Sequence, residues 1–353
     1  TYHLDNKLFI DYLKENAIKH GARYVEAELL DINREPFGEI SSLVIDSAKL
    51  GIGPLTGDFF VDCTGFNSRL LDEELDIKYK SFDKELINNK TIVTTVNYKD
   101  KKKDLHPYTK CKALKNGWVW HIPLYDSLSL GYVYSDKFIT DKEAEKEFKD
   151  YITKEFSTLR KFKTISFKTG YYEEHIKHNV MAVGLSGGFV EPLESTGIFL
   201  SAMATEYLKL YLQKKTYRTT EKQIINDRMS LMYEEVKDFL MCHYTLSSRN
   251  DSKYWKYVTN LNLSDKVIKM LELIYYNLDL RNNDVETRIF PKYGWMSIAM
   301  GMNLVKDRNH RLYPIKNVSE RIYNNFVSIQ TQIKEDLKKA YNHLEYLNEF
   351  FYK

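Results

Sequence analysis

The sequence predicts a mixed α/β (α+β) fold, and three observations carry that expectation. Val180, Ala182 and Val183 read as a short buried strand that runs into Gly187-Gly188 and then, from Ser195 to Gln213, into a helical pattern with Ile198, Phe199, Met203, Tyr207, Leu208 and Tyr211 on one face. Near the start, Leu4, Leu8, Phe9, Tyr12, Leu13 and Ala17 mark a helix that Asp5 can cap and Gly21 can end, followed by a strand over Arg23–Ile32. From residue 216 onward helical patterning dominates, which predicts a mostly helical C-terminal region.

Taken in order, Ile40–Asp46 alternates as a strand, Gly51-Ile-Gly-Pro54 reads as a turn, and Asp58–Val61 leads into Asp62-Cys-Thr-Gly65-Phe-Asn-Ser68. A charged connection runs from Leu70 to Lys90, with a domain boundary expected near residue 80. Thr91–Tyr98 then has the β-branched content of a strand in a different sheet. Two further strands, joined by a turn at Tyr125–Ser127, put Trp118 and Trp120 on one face. A hydrophobic core is the usual fate of such a pair. Thr140–Leu159 reads as an amphipathic helix and Lys163–Tyr172 as strand-like. Arg228–Leu240 is helical and runs into His243-Tyr244, where a lone histidine on an apolar face reads as structural.

With 353 residues, 43% of them hydrophobic, the chain can bury a sizeable core, and no run of apolar residues is long enough to span a bilayer. Lys and Arg total 52 against 49 Asp and Glu, and the basic runs are short and mixed with acids, which argues against nucleic-acid binding. Cys63, Cys111 and Cys242 lack any metal-ligand spacing and read as reduced core thiols; no metal site and no membrane association are expected, and a cytoplasmic location is.

The stretch from Gly184 to Leu200, Gly-Leu-Ser-Gly-Gly-Phe-Val-Glu-Pro-Leu-Glu-Ser-Thr-Gly-Ile-Phe-Leu, is the centre of the functional reading. Its glycines allow a backbone to approach a ligand closely, and the helix that follows Ser195 or Thr196 as N-cap offers unpaired N–H groups and a positive pole to an anion. Glu194 beside that pole is either a helix cap or an acid/base group, and from the residues alone the cap is the simpler reading.

This stretch resembles the signature of flavin-dependent tryptophan halogenases, close to G-L-x-x-G-F-x-E-P-L-E-S-T-x-I. A second hallmark of that family, W-x-W-x-I-P, appears upstream as Trp118-Val-Trp120-His-Ile122-Pro123. Asp62-Cys-Thr-Gly65-Phe-Asn-Ser68 is similar to the family's D-C-[ST]-G-x-x-S, and the resemblance extends nearly to Lys353. Gly170-Tyr-Tyr departs from the usual Gly-Arg-Arg, and Ile176 stands where a Trp is common.

The resemblance implies a FAD-binding monooxygenase-like fold of the glutathione-reductase type, with residues 1–80 and 179–215 on the cofactor side, 81–178 as a substrate-side sheet and helix, and 216–353 as a helical cover. Its implied chemistry uses reduced FAD, O2 and a halide ion (chloride, bromide or iodide) to make hypohalous acid, which halogenates a small electron-rich aromatic of indole or phenol type. A flavin reductase is the implied partner, and a homo-oligomer is compatible with the sequence. Under this reading Glu194 is catalytic; Ser195, Thr196 and Gly197 hold the halide. Gly65, Gly184, Gly187, Gly188 and Ile198 lie against FAD, while Trp118, Trp120, Ile122 and Pro123 face the substrate. The family's G-x-G-x-x-G turn and catalytic lysine are not found in the sequence; the family pattern puts them upstream of Thr1, within roughly 150 residues. A related flavin monooxygenase or reductase, or a non-catalytic binding protein or fragment, is the alternative.

Overall fold

The computed structural model describes residues 3–71, 75, 77–156, 161–213, 219–276, 286–302, 304 and 320–352. Helix α1 (Asn6–Lys19) begins where expected: the Asp5 carboxylate accepts from the amides of Lys7 and Leu8 at 3.0 and 3.3 Å. Gly21, at φ +95°, follows its last turn in the conformation that favours glycine. The apolar face is left uncovered by the described residues, with Leu8 68% and Tyr12 61% exposed.

Strands β1 (Glu28–Arg34), β2 (Ile40–Ser47) and β3 (Gly51–Thr56) form an antiparallel meander in that order. Two expectations are corrected here. The first strand starts at Glu28 rather than Arg23, and Gly51–Pro54 is strand rather than turn, with Val44 opposite Pro54. Proline and glycine are tolerated there because β3 is an edge strand, where a missing N–H breaks no ladder on its outer side. Strand β4 (Phe60–Asp62) ends in a 3-10 turn at Gly65–Asn67. β5 is Tyr79–Ser81, and β6 is Lys90–Val96.

After the short helix α2 (Lys101–Asp104) come β7 (Lys110–Leu114), β8 (Gly117–Pro123) and β9 (Leu128–Tyr134). The β8–β9 turn falls at Tyr125–Ser127 as expected, closed by the Leu124 amide on the Ser127 carbonyl at 2.9 Å. Helix α3 (Asp141–Glu155) opens with a Thr140–Glu143 capping box and stops short of the expected Leu159, with Phe156 extended at φ −129°; 157–159 lie outside the described residues. Its Ala144, Phe148 and Ile152, at i, i+4 and i+8, are buried in a cluster with Ile92, Val119 and Tyr132 of the sheet. β10 (Lys163–Ser166) completes a five-stranded sheet of order β10-β6-β9-β8-β7.

β11 (Gly170–Tyr172) pairs with β5, and β12 (Ile176–Lys177) with β13 (Val180–Ala182). β13 also runs parallel to β4, and β14 (Gly188–Phe189) adds to β11. Helix α4 spans Gly197–Leu212, shorter than the expected Ser195–Gln213, and α5 spans Thr219–Thr245. Then follow α6 (Lys253–Val258), α7 (Asp265–Tyr275), α8 (Lys292–Gly301), α9 (Glu320–Lys339) and α10 (His343–Phe350), a helical C-terminal region as read from the sequence.

The central core draws Trp118 and Val133 from the sheet, Met181 and Val190 from the turn region, and Leu200, Met229 and Leu240 from α4 and α5. It therefore fixes the glycine-rich turn against both the sheet and the helices. α5 anchors the segment before α8 as well. Its buried Glu235 carboxylate accepts from the amides of Arg288, Ile289 and Phe290 at 2.6, 2.9 and 3.0 Å.

Candidate functional site

Parallel pairing of β4 with β13 brings two loops together. The Ser68 hydroxyl donates to the Ser186 carbonyl at 2.9 Å, the Ser186 hydroxyl donates to the Asp62 carbonyl at 2.5 Å, and the Val183 amide donates to the same carbonyl at 2.9 Å. Gly65 and Gly184 thus lie on adjoining turns, both with φ +73°. Gly187 and Gly188 have an internal reason to lack a side chain. A Cβ on Gly187 would come within 2.9 Å of the His175 ring, and one on Gly188 within 2.6 Å of the Gly170 carbonyl. Gly65 and Gly197, by contrast, face open space.

Beyond Val190 the chain makes its sharpest manoeuvre. Glu194 and Ser195 sit consecutively in the left-handed region, at φ 67° and 54°, a conformation that costs a residue with a Cβ about 1–2 kcal/mol. Pro192 fixes the approach at φ −66°. The pair is excluded from the helical conformation, so α4 begins at Gly197. Ser195 is not its N-cap, and Thr196 occupies the cap position without a side-chain hydrogen bond. No side chain caps this helix end, so its first amides and positive pole remain available to an anion.

The left-handed pair turns Glu194 toward a cavity of about 750 Å3 that is also lined by Trp118, Trp120, Ile122, Ser195 and Ile198. Trp118 and Trp120 meet with ring centroids 6.2 Å apart. Trp118 is buried and Trp120 partly so, and both form cavity wall as well as core. Gly131 on β9 is what admits Trp120: a Cβ there would lie 1.9 Å from the indole. Strand alternation sends Pro123 to the other face of β8, where it borders a separate cavity of about 550 Å3 with His121 and Tyr151; only Trp118, Trp120 and Ile122 of the motif share the first cavity. Thr196 is buried beneath the turn.

Two readings of single residues are corrected. His243 is not simply packed on an apolar face: its Nε2 lies 3.0 Å from Glu194 Oε1, and its Nδ1 lies 3.0 Å from the Phe239 carbonyl one turn back along α5. The sequence signal was its position next to Tyr244, whose hydroxyl donates to the other acid of the turn, Glu191. Burial pushes the Glu191 carboxyl up to about 7. The cysteines are free, but only Cys242 is a core thiol. Cys111 is exposed because it sits on the edge strand β7, and it borders the cavity; partial burial and the carboxylates of Glu194 and Glu191 push its thiol up to about 11. Cys63 is exposed at the end of β4.

A mixed α/β fold thus joins the turns of Gly65 and Gly184 and aims a carboxylate into a tryptophan-lined cavity. The family profile described as tryptophan halogenase matches residues 1–317, and the chain belongs to that family. It is 30% identical over 306 residues to the tryptophan 6-halogenase SttH of Streptomyces toxytricini, covering 86% of this chain and 58% of that protein. To the tryptophan 7-halogenase RebH of Lentzea aerocolonigenes it is 30% identical over 276 residues, covering 77% and 51%. The crystal structure of SttH superposes with a TM-score of 0.87 at 28% identity, covering 98% of this chain and 66% of that one. The chain thus spans under two thirds of the length of these relatives.

The exposed apolar side chains around the turns test whether a flavin fits. Phe66, Leu185, Ile198 and Phe199 are 40–59% exposed beside the open glycines Gly65 and Gly197, a surface chemistry suited to covering by a planar ring system. No helix among the described residues is long and apolar enough to cross a membrane.

Proposed function

We propose that this chain carries the halogenation centre of a FAD-dependent halogenase acting on a small electron-rich aromatic, indole-like or phenolic. The observation that carries the reading is the consecutive left-handed pair Glu194-Ser195, which spends backbone strain to aim a carboxylate into a cavity walled by two indoles beside an uncapped helix end. FAD, delivered reduced by a partner flavin reductase, would when bound supply the electrons that activate O2, the oxidant that takes halide to hypohalous acid with release of water. Ser195 and the amides of Thr196 and Gly197 hold the halide at the pole of α4; chloride, bromide and iodide all meet that requirement. Ile198 and the turns of Gly65, Gly184, Gly187 and Gly188 lie on the cofactor side. Trp118, Trp120 and Ile122 keep the aromatic substrate from the flavin, so that it meets the diffusing oxidant instead. Glu194 orients that oxidant and accepts the ring proton, with His243 fixing the carboxylate. Residues 1–80 and 179–215 serve the cofactor, 81–178 the substrate wall and 216–353 its cover, in a cytoplasmic enzyme.

The test is mass spectrometry of an indole and phenol panel incubated with the full-length protein, FAD, a flavin reductase and bromide. A brominated product that disappears when bromide is omitted is expected. An oxygenated product without bromide dependence contradicts the proposal and indicates monooxygenase chemistry.

A further inference from the structure

His243 and Tyr244 are consecutive on α5, and Glu191 and Glu194 are three residues apart on the turn. Each member of the first pair holds one member of the second. The inner contact is part of a closed buried network. Asn88 Nδ2 donates to Glu191 Oε2 at 2.9 Å and to the Tyr244 hydroxyl at 2.8 Å, and the Tyr254 hydroxyl donates to Asn88 Oδ1 at 3.1 Å. Asn88 spends both amide hydrogens here and its oxygen is filled from outside. The Trp118 indole nitrogen abuts the same carboxyl without hydrogen-bond geometry. Glu191 is 1% exposed and therefore touches neither solvent nor the cavity, so the chemistry proposed above does not use it. An acidic side chain is costly to bury, and here its two hydrogen-bond partners come from separate elements, Asn88 from the segment before β6 and Tyr244 from α5, with Tyr254 of α6 bonding Asn88 in turn.

We propose that Glu191, gripped by Tyr244 and Asn88, is a positioning residue that locks the left-handed Glu194-Ser195 turn and the Trp118 wall in their working geometry, while His243 holds Glu194 from the same turn of α5. The inference rests on the reading of Glu194 as the acid/base group. Two consecutive left-handed residues relax unless both flanks are held. Leu193 and Leu200 pin the apolar side of the segment in the core, and the Glu191 network supplies the polar hold on its N-terminal flank.

The test uses the full-length protein and the variants Tyr244→Phe, Tyr254→Phe, Glu191→Ala, Glu191→Gln and Glu194→Gln. Hydrogen exchange over residues 190–199 is measured without cofactor, and kcat and KM with it. Tyr244→Phe is expected to raise exchange in that segment at least 10-fold, and to lower kcat about 10-fold with KM changed less than about 2-fold. Tyr254→Phe, one bond further out, should do the same more weakly and remains informative should Tyr244→Phe fold poorly. Glu191→Gln, which keeps the shape and an oxygen for Asn88, should lose less than Glu191→Ala. In a Glu194→Gln background, Tyr244→Phe should lower the rate no further. Unchanged exchange over 190–199 in Tyr244→Phe and Tyr254→Phe overturns the proposal, as does a multiplicative rate loss in the double variant. A wild-type rate for Glu194→Gln alone removes the acid/base reading while the exchange result still decides whether the clamp exists.

Discussion

At the scale of single residues, this site is built on local conformations and burials that cost free energy in isolation. Glu194 and Ser195 adopt positive φ without being glycine, and His175 is buried with both ring nitrogens unpartnered, stacked on Tyr171 and against Gly187 of the glycine-rich turn. Burial holds the His175 imidazole down to about 3, below the ordinary histidine value. The folded protein thus keeps it neutral while the unfolded chain protonates below about pH 6.5, so stability falls as pH drops from there toward 3. The loss attributable to His175 reaches about 2 kcal/mol by pH 5, at 1.36 kcal/mol per pH unit. His175→Phe is expected to remove that part of the slope, measured by urea unfolding at pH 7.5 and pH 5; the same slope in variant and parent contradicts the assignment. None of this was legible in the sequence. Glu-His-Ile carries no periodic signal for a buried imidazole, and a positive φ at Glu194 is not announced by a residue type that ordinarily avoids it.

At the scale of elements, what could be read ahead followed from side-chain periodicity and capping chemistry. The Asp5 cap, the amphipathic pattern from Thr140 onward and the alternation of Trp118 with Trp120 placed α1, α3 and β8 because a cap or a periodic face is a local property. The failures were places where the partner strand or loop decides. Gly51–Pro54 looked like a turn because its composition is that of one, and became strand because β2 offers a ladder to an outer edge. Ser195 looked like a cap, but the left-handed pair delays the helix by two residues. Packing across β8 and β9 gives a direct test. Gly131→Ala places a methyl 1.9 Å from the Trp120 indole, so the ring must leave its position. A destabilisation of about 1–3 kcal/mol is expected, as for overpacking, together with a shift of the tryptophan emission. A variant of unchanged stability and emission contradicts the view that Trp120 is seated over this glycine.

At the scale of the whole molecule, the cavity is assembled from residues far apart in sequence: the start of α1, the face of β8 and the turn before α4, with α5 locking that turn from behind. The motifs marked candidate residues one by one, and the structure gathers Trp118, Trp120, Ile122, Glu194, Ser195 and Ile198 around one cavity while Pro123 borders another. The joining of α5 to both acids depends on three-dimensional packing, which a single sequence does not display, and so His243 read as structural. The role proposed for the carboxylate aimed by this assembly is to act on the reacting aromatic. It is tested most directly by single-turnover halogenation in the full-length protein with pre-reduced FAD, comparing the parent with Glu194→Gln. Retained FAD binding, an unchanged melting temperature and a rate lower by about 10²-fold or more are expected, the scale of losing a positioned acid/base group. A rate equal to the parent's, in a variant that binds FAD and melts normally, would contradict it.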